Sequence, residues 1–366
     1  MSFKSQYSFL DRLLHTLAFR GIGLQKNLAD IEDRFYQDVL SAIPIDRPVF
    51  VTSLPRAGTT LLLEMISELD GFVAHSYREM PFLLCPLLWN RLSRSFRISG
   101  MMQERAHQDG MQINYDSVEA FEEVLWKSFW PDHYQSDHIV PWDVMEKDSS
   151  GEFSSFFTNH LRKLLFLRTQ ASQKAVRYVS KNNANIARLH IISRLFPSAI
   201  LLVPFRNPVD HAASMHRQHH HFLSLHARDP FIRHYMESLG HYEFGANLKP
   251  FNFNNWLYTT RLPAPDEETF WLAYWCAAFA FMLDHGPDRV QFVDFDACTH
   301  NFQEATISLA KILGLTNPEP LYRQVKRVRI PTRYQQSRFA GESDLMVYAL
   351  KLHERLKDRS VVKYEC

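Results

Sequence analysis

A buried strand that runs into a glycine-containing turn and then a helix most restricts the fold of this chain. Residues 49–51 (VFV) form a short apolar run after Pro48, which is typical of a strand inside a sheet. The turn at residues 54–58 (LPRAG) follows, and residues 59–66 (TTLLLEMI) are rich in helix formers up to a stop at residues 70–71. Strand, tight turn and helix in this order predict the opening unit of a nucleotide-binding α/β fold.

Two further strands with helices beside them follow along the chain. Residues 199–203 (AILLV) read as a central parallel strand after a helix that ends near residue 196. Residues 290–295 (VQFVDF) read as another strand, and the helix at residues 305–313 after it is closed by Gly314. Strands that alternate with helices predict a three-layer α/β fold around a mostly parallel sheet.

The remaining segments are interpreted as additions to one domain that spans residues 1–366. Residues 1–47 are a helical extension, and helix is expected over residues 6–42. Residues 80–175 and 216–268, rich in aromatic residues and histidine, are predicted to be helical insertions on the acceptor side of the sheet rim.

The overall composition is that of an ordinary globular protein. A net charge of +1 gives no reason to expect nucleic acid as a partner. The cysteines lack a C-x-x-C pair, which argues against a disulfide framework or a structural zinc site and suits a reducing compartment. With neither a signal peptide nor a long apolar stretch in the sequence, we expect a cytoplasmic protein. The cysteines are Cys85, Cys276, Cys298 and Cys366.

Four leucines near the start recur at helical spacing and indicate an amphipathic helix. Such a helix either packs on the domain or makes a peripheral contact with a membrane surface. The leucines are Leu10, Leu13, Leu14 and Leu17.

The turn after the first strand carries the groups that an anion requires. Gly58 lets the backbone approach a ligand closely, and free amides at a helix start favour negative charge. Thr59 and Thr60 add hydroxyl donors, and Arg56 adds a planar cation that suits phosphate or sulfate oxygens.

An ATP-binding P-loop is the obvious rival for this turn. That motif needs a lysine after its second glycine, but here Thr59 follows Gly58, and Ser53 stands where the first glycine would be. The turn therefore lacks the residues that bind a nucleoside triphosphate with magnesium. A turn without any ligand is the other alternative, but packing alone hardly explains an arginine beside a glycine and two threonines.

Two segments resemble the nucleotide-binding motifs of sulfotransferases that use 3′-phosphoadenosine 5′-phosphosulfate (PAPS). Residues 51–60 (VTSLPRAGTT) resemble the family's 5′-phosphosulfate loop, in which a basic residue at the position of Arg56 neutralises the phosphosulfate. Residues 206–214 (RNPVDHAAS) resemble the 3′-phosphate motif, an arginine at a strand end and a serine on the next helix. The matching residues here are Arg206 and Ser214.

The resemblance extends over residues 48–80 and 176–315. Residues 180–183 (SKNN) are similar to a loop whose lysine approaches the transferred group, which implies this role for Lys181. Residues 313–315 (LGL) match the end of a helix that follows a strand in the family. The resemblance implies a P-loop-related, bacterial-type sulfotransferase fold with helical insertions.

The general base is implied by the resemblance in a less direct way. Animal-type cytosolic members have a histidine base at the position of Asn183, and asparagine cannot take a proton. Other branches use a glutamate shortly after the first helix, and Glu79 in residues 76–81 (SYREMP) resembles it. A structural ion pair of Glu79 with Arg78 or Arg56 is the alternative.

Histidines offer a second set of candidates. Three of them share a helix face at spacings that could hold a metal, but the implied reaction needs no metal, so we expect them to line the acceptor pocket or the surface. Either His133 or a member of this cluster could replace Glu79 as the base. The cluster consists of His216, His219, His220, His221 and His226.

Two weaker features complete the set of candidates. Arg333 and residues 338–341 (RFAG) loosely match a basic loop that closes over the 3′-phosphate in relatives. Several tryptophans could stack on a sugar or an aromatic acceptor, although core packing explains most of them equally well. They are Trp126, Trp130, Trp142, Trp256, Trp271 and Trp275.

The chain is therefore expected to be a PAPS-dependent O-sulfotransferase that acts on a glycan or small-molecule hydroxyl by in-line displacement. Glu79 is the expected base, with Arg56 and Lys181 as the stabilising cations. A P-loop-like kinase that uses ATP and a non-catalytic nucleotide-binding protein remain alternatives. The residues expected to bind PAPS are Arg56, Ala57, Gly58, Thr59, Thr60, Arg206 and Ser214.

Overall fold

A five-stranded sheet lies at the centre of the molecule. The computed structural model describes residues 16, 18–93, 103–104, 112–113, 121–172, 176–259, 261–324 and 344–362. Its strands are β1 (Val49–Val51), β2 (Phe72–Val73), β3 (Gln103–Glu104), β4 (Gln112–Ile113), β5 (Arg177–Lys181), β6 (Ile200–Phe205) and β7 (Val290–Asp294). Strands β3 and β4 form a separate antiparallel pair, and the other five make the central sheet.

Helices surround this sheet and build most of the remaining structure. They are α1 (Ile22–Phe35), α2 (Gln37–Ser41), α3 (Thr59–Ser67), α4 (Pro86–Ser93), α5 (Glu123–Phe129), α6 (Glu152–Ser172), α7 (Leu189–Leu195), α8 (Pro208–Arg228), α9 (Pro230–Leu239), α10 (Glu268–His285), α11 (Phe295–His300), α12 (Phe302–Leu313), α13 (Glu319–Tyr322) and α14 (Asp344–Asp358). Within the described ranges, no helix is both long and apolar enough to span a bilayer.

The strand order of the sheet is β2-β5-β1-β6-β7, and every pairing in it is parallel. From β1 the chain passes through α3 to β2 at one edge, whereas from β6 it passes through α8 towards β7 at the other edge. The loops after β1 and β6 therefore lead away in opposite directions. Open parallel sheets bind their ligands in the crevice that such a reversal creates.

Both faces of the sheet are covered by apolar side chains. On one face Phe50 packs against the rings of Phe157 and Phe196. On the other face Val49 and Val51 belong to a second apolar cluster, to which α3 and α12 contribute. Strand β1 is wholly buried between these two layers. The prediction of a three-layer α/β fold around a parallel sheet is thereby confirmed.

The structure has two sheet strands that the sequence pattern did not indicate. Strand β2 has only two residues, and β5 places Ser180 and Lys181 at a strand end rather than in a loop. In the sequence, β5 has only two apolar residues, Tyr178 and Val179, with polar residues on both sides, so it does not show the apolar pattern of a buried strand. These are buried because β5 lies between β1 and β2.

The helix expected over residues 6–42 is interrupted. Helices α1 and α2 are separated at Tyr36, whose amide bonds to the carbonyl of Glu32. Lys163 on α6 ties α1 to the domain, since its ammonium lies 3.1 Å from a Glu32 oxygen. The four leucines of the proposed amphipathic helix lie outside the described residues.

Buried neutral histidines make the stability of this fold sensitive to acid. The ring of His353 on α14 packs against Phe205 and Trp275. Burial and, to a lesser degree, the charge of Lys357 lower the pKa of His353 from 6.5 to about 4. As the pH falls, His353 takes up a proton in the unfolded chain before it does so in the folded protein. The stability that the neutral ring contributes is therefore complete above pH 6.5 and is lost as the pH falls towards 4.

We predict that His353→Phe removes this part of the acid sensitivity and keeps the aromatic packing. Between pH 6.5 and 5.5 the variant should lose about 1 kcal/mol less stability than the wild type. Urea unfolding at the two pH values measures the difference. The exposed His234→Gln is the matched control and should behave as the wild type does, while an unchanged pH dependence in His353→Phe would contradict the prediction.

Candidate functional site

The loop between β1 and α3 has an unusual backbone that only certain residues allow. Arg56 and Gly58 both adopt positive φ angles, 74° and 92°. A Cβ atom on Gly58 would lie 2.2 Å from the ring of Phe295, so only glycine fits at this place. With no side chain at Gly58, the first turn of α3, which begins at Thr59, presents its amides without a side-chain cap.

The predicted anion-binding residues from separate elements meet at this loop. The Nε of Arg56 donates to the Ser214 hydroxyl at 3.4 Å, and an Nη1 of Arg206 donates to the Arg56 carbonyl at 3.2 Å. Arg206 and Ser214 are buried, being 5% and 6% exposed. The structure therefore brings together the end of β6, the second turn of α8 and the loop after β1.

Arg206 is held at the end of its strand by a carboxylate from the neighbouring strand-helix junction. Its Nε lies 3.6 Å from an Asp296 oxygen, and the other Asp296 oxygen accepts from the Asn207 amide at 2.6 Å. Among the residues that the structure describes, none forms a hydrogen bond with the buried Nε of Arg206. This guanidinium thus retains hydrogen-bonding capacity that a bound anion would use.

A buried histidine on α8 also holds the loop after β1 in place. His211 on α8 donates from Nε2 to the carbonyl of Pro55 at 2.8 Å. Burial and the charges of Arg206 and Arg56 lower the pKa of His211 to about 3, so the ring is neutral. His211 lies inside the second motif, but its support of the first motif could not be read from the sequence.

The start of α3 is linked to the end of β5 and beyond. Thr59 donates to the Asn183 side-chain oxygen at 3.1 Å, and the Asn183 amide donates to Glu243 at 3.4 Å. Lys181 ends β5 directly beside Val51 in the sheet register and is nearly buried. Nothing in the sequence around Glu243 indicates that it lies here.

Burial alone would raise the pKa of the Glu243 carboxyl. A hydrogen bond from His241, the charge of that ring and the charge of Lys181 more than reverse this effect and lower the pKa to about 2. Glu243 is therefore an ionised carboxylate at neutral pH.

The expected base, Glu79, is in contact with residues other than those of the loop and of the Glu243 environment. One oxygen accepts from the Ser76 amide at 2.6 Å and from the Ser76 hydroxyl at 3.0 Å. The other oxygen is 3.0 Å from an Nη2 atom of Arg168, and the side chain is buried. Both oxygens of Glu79 are thus held by neighbouring groups, and its role as base stays a prediction.

The histidine candidates divide into buried and exposed groups. His219 accepts a hydrogen bond from the Gly245 amide, whereas His216 and His220 bond to each other at 2.9 Å near the surface. His133 stacks on Trp142 at 4.0 Å. In the described part of the chain, no group of three or more histidine, cysteine, aspartate or glutamate side chains is arranged to hold a metal.

The tryptophan candidates belong mostly to the core. Trp126, Trp142, Trp271 and Trp275 are at most 2% exposed, which leaves little of their faces for a ligand. Arg333 and residues 338–341 lie outside the described residues.

A pocket opens beside the loop. The loop residues 53–55, the 182–184 turn after β5 and the segment at residues 240–251 line it, together with Ile139 and Tyr274. Its free interior volume is small, about 30 Å³. Glu243 and residues 53–55 line this space, but neither residues 56–60 nor Glu79 is part of its lining.

Comparison with known proteins identifies a family for this chain. A family model described as the sulfotransferase family matches residues 48–252, more than half of the chain. Comparison with curated proteins gives no match.

Solved structures add information on the fold. The crystal structure of sulfotransferase STF9 from Mycobacterium avium has a TM-score of 0.50 and 13% identity, covering 92% of this chain and 83% of that chain. That of sulfotransferase STF1 from Mycobacterium tuberculosis H37Rv has a TM-score of 0.46 and 14% identity, covering 93% of this chain and 84% of that chain. The family model that matches more than half of the chain shows that it belongs to the sulfotransferase family.

Proposed function

We propose that this sulfotransferase transfers the sulfuryl group of PAPS to a hydroxyl of a small-molecule or glycan acceptor. The meeting of Arg56, Arg206 and Ser214 at the carboxyl ends of β1 and β6 is the observation that carries the proposal. When bound, PAPS supplies an activated sulfuryl group whose leaving group is a phosphate.

The residues of the site fit the two anionic ends of this nucleotide. Arg206 keeps a buried Nε without a hydrogen-bond partner among the described residues, and Arg56 contacts both Arg206 and the Ser214 hydroxyl. These two residues would hold the 3′-phosphate. The amides and hydroxyls from Ala57 to Thr60 would hold the 5′-phosphosulfate, since the first turn of a helix favours anions.

The same residues can support the transfer electrostatically. Arg56 would neutralise charge that develops on the leaving phosphate, because its guanidinium is fixed near the loop by Ser214. Lys181 would add a second positive charge from the end of β5, next to β1. A metal ion is not part of this proposal.

Glu79 is proposed as the group that accepts the proton of the acceptor hydroxyl. Arg168 and Ser76 hold its carboxylate in one orientation, which is what a positioned base requires. The acceptor oxygen would attack sulfur as the bond from sulfur to the phosphate oxygen breaks.

The acceptor would bind on the side of the sheet that the two insertions cover, with its reacting hydroxyl directed to Glu79, outside the pocket described above. Glu123 and Ile139 from residues 80–175, and the segment at 240–251 from residues 216–268, line the pocket beside the loop. We propose that these insertions and the extension at residues 1–47 belong to one sulfotransferase domain.

Binding of 3′-phosphoadenosine 5′-phosphate (PAP) tests the donor site. Calorimetric titration should give micromolar affinity for PAP and much weaker affinity for ADP, because ADP lacks the 3′-phosphate. Arg206→Ala should weaken PAP binding tenfold or more, about 1.4 kcal/mol.

The exposed Arg323→Ala serves as the matched control and should bind PAP as the wild type does. A preference of the wild type for magnesium-ATP would favour the kinase alternative and reject the PAPS site.

Turnover tests the base and the enzymatic function together. In assays of PAP release from PAPS with a panel of phenols and alcohols, Glu79→Gln should lower kcat by about 100-fold or more, since the amide cannot take the proton. PAP binding should persist in this variant.

His133→Gln is the comparison for the alternative base and should keep its activity. Normal turnover in Glu79→Gln would remove it as the base. A wild type that binds PAP but turns over no acceptor would favour the non-catalytic alternative.

A further inference from the structure

A residue in an unfavourable backbone conformation lies at the centre of the loop after β1. Arg56 is not a glycine, yet its φ angle is 74°, in the left-handed region where a side chain meets its own backbone. A residue stays in this region only where surrounding contacts hold it, and such residues are concentrated at functional sites. The contacts that hold Arg56 therefore bear on what the loop does.

The two peptide groups that flank Arg56 are both held by donors from the second motif. On one side, Nε2 of His211 donates to the carbonyl of Pro55 at 2.8 Å. On the other side, Nη1 of Arg206 donates to the carbonyl of Arg56 itself at 3.2 Å. Rotation about the two backbone bonds at the Cα atom of Arg56 sets the directions of these carbonyls. The two hydrogen bonds together therefore fix the conformation of Arg56.

The two donors differ in what else they can contact. Arg206 has a buried Nε without a hydrogen-bond partner among the described residues, and it is the residue proposed to hold the 3′-phosphate. His211 is 0% exposed, so a nucleotide on the loop has no access to its ring. Within the described ranges, Nδ1 of His211 has no hydrogen-bond partner either. The polar contact that this ring makes there is the one with the loop.

The position of His211 joins the two halves of the nucleotide site. It lies on α8 one turn before Ser214, whose hydroxyl accepts from Nε of Arg56 at 3.4 Å. Helix α8 thus reaches the loop twice, at the Pro55 carbonyl and at the Arg56 side chain. Burial, with the charges of Arg206 and Arg56, lowers the pKa of His211 to about 3. At neutral pH the ring therefore supplies a hydrogen bond to the loop and no charge.

We propose that His211 is a positioning residue for the 5′ end of the donor. By holding the Pro55 carbonyl, it keeps Arg56 in the left-handed conformation before the nucleotide arrives, so that the loop amides and the Arg56 guanidinium are already placed for the anion. A loop that is organised in advance loses less freedom on binding, which raises its affinity. This inference rests on the proposed function, in which the loop holds the 5′-phosphosulfate.

Two nucleotides that differ only in the 5′-phosphate test the inference. PAP has this phosphate, which stands in for the phosphosulfate, and adenosine 3′-phosphate lacks it. Calorimetry with the wild type should show PAP binding at least about tenfold more tightly than adenosine 3′-phosphate. This affinity ratio measures the contribution of the loop, while the affinity for adenosine 3′-phosphate measures the remainder of the site.

His211→Leu removes the hydrogen bond to Pro55. The affinity ratio should fall about fivefold, as expected for one hydrogen bond, and the affinity for adenosine 3′-phosphate should change by less than about twofold. His211→Gln can place an amide nitrogen where Nε2 of the ring lies, so it should restore most of the ratio. Phe279→Leu loosens the packing beside the His211 ring without removing the bond, and this matched control should keep the wild-type ratio.

The protonation of the ring is a second measurement, which does not require His211→Leu to fold. Nitrogen-15 NMR of the histidine-labelled wild type at neutral pH should show the His211 ring with its one proton on Nε2, because a carbonyl oxygen can only accept. The signals that disappear in His211→Gln assign this ring.

Four results would each reject the inference. They are a wild-type ratio near one, an unchanged ratio in His211→Leu, an equal loss of affinity for both nucleotides in this variant, and a proton on Nδ1 of the ring. The third result would assign His211 to the stability of the fold alone. Failure of the wild type to bind PAP is a separate result, which rejects the proposed function and the inference with it.

Discussion

The close contact between Gly58 and the ring of Phe295 is the constraint on which the rest of the site depends. It brings the loop after β1 against the start of α11, which directly follows β7, and leaves no room for a Cβ atom. The carboxyl ends of β1, β6 and β7 are already neighbours, because these strands pair in parallel. The resulting crevice contains Arg56 and Arg206, whose charges would repel each other without an anion or a carboxylate near them.

Neutralisation of these two arginines is distributed over several elements. Asp296 accompanies Arg206, and His211 stays neutral beside both arginines while it holds the Pro55 carbonyl. A protonated ring at this place would add a third positive charge, and its low pKa avoids that cost. At this loop the positive charge thus lies on Arg56 and Arg206 and not on His211.

A buried polar layer supports the acceptor side of the site. Glu122 accepts hydrogen bonds from Tyr178 inside β5 and from Asn185 after it, and Glu123 accepts one from Asn182, which directly follows β5. Removal of one member would leave a buried group without its partner, which is costly inside a protein. Next to these buried polar residues, the Asn183 side chain contacts Thr59 through its oxygen and Glu243 through its nitrogen.

Two carboxylates described at the site, Glu79 and Glu243, differ in whether the sequence indicates them. Glu79 belongs to a short motif near the first helix, so family resemblance was enough to select it. Its hydrogen bonds to Ser76 and Arg168 depend on α6, which the motif does not include. Glu243 has no motif around it, and only its contact with Asn183 in the folded protein shows that it lies near the loop.

The sequence by itself determined the fold class and which residues are candidates for binding an anion. Strand, turn and helix around Gly58, and an arginine and a serine eight residues apart at Arg206 and Ser214, are local patterns with local physical causes. Only the tertiary structure decided the strand order, the edge strand β2 and its neighbour β5, and the residues around Glu79 and Glu243. These features arise from contacts between residues far apart in the chain, which leave no periodic signal in the sequence.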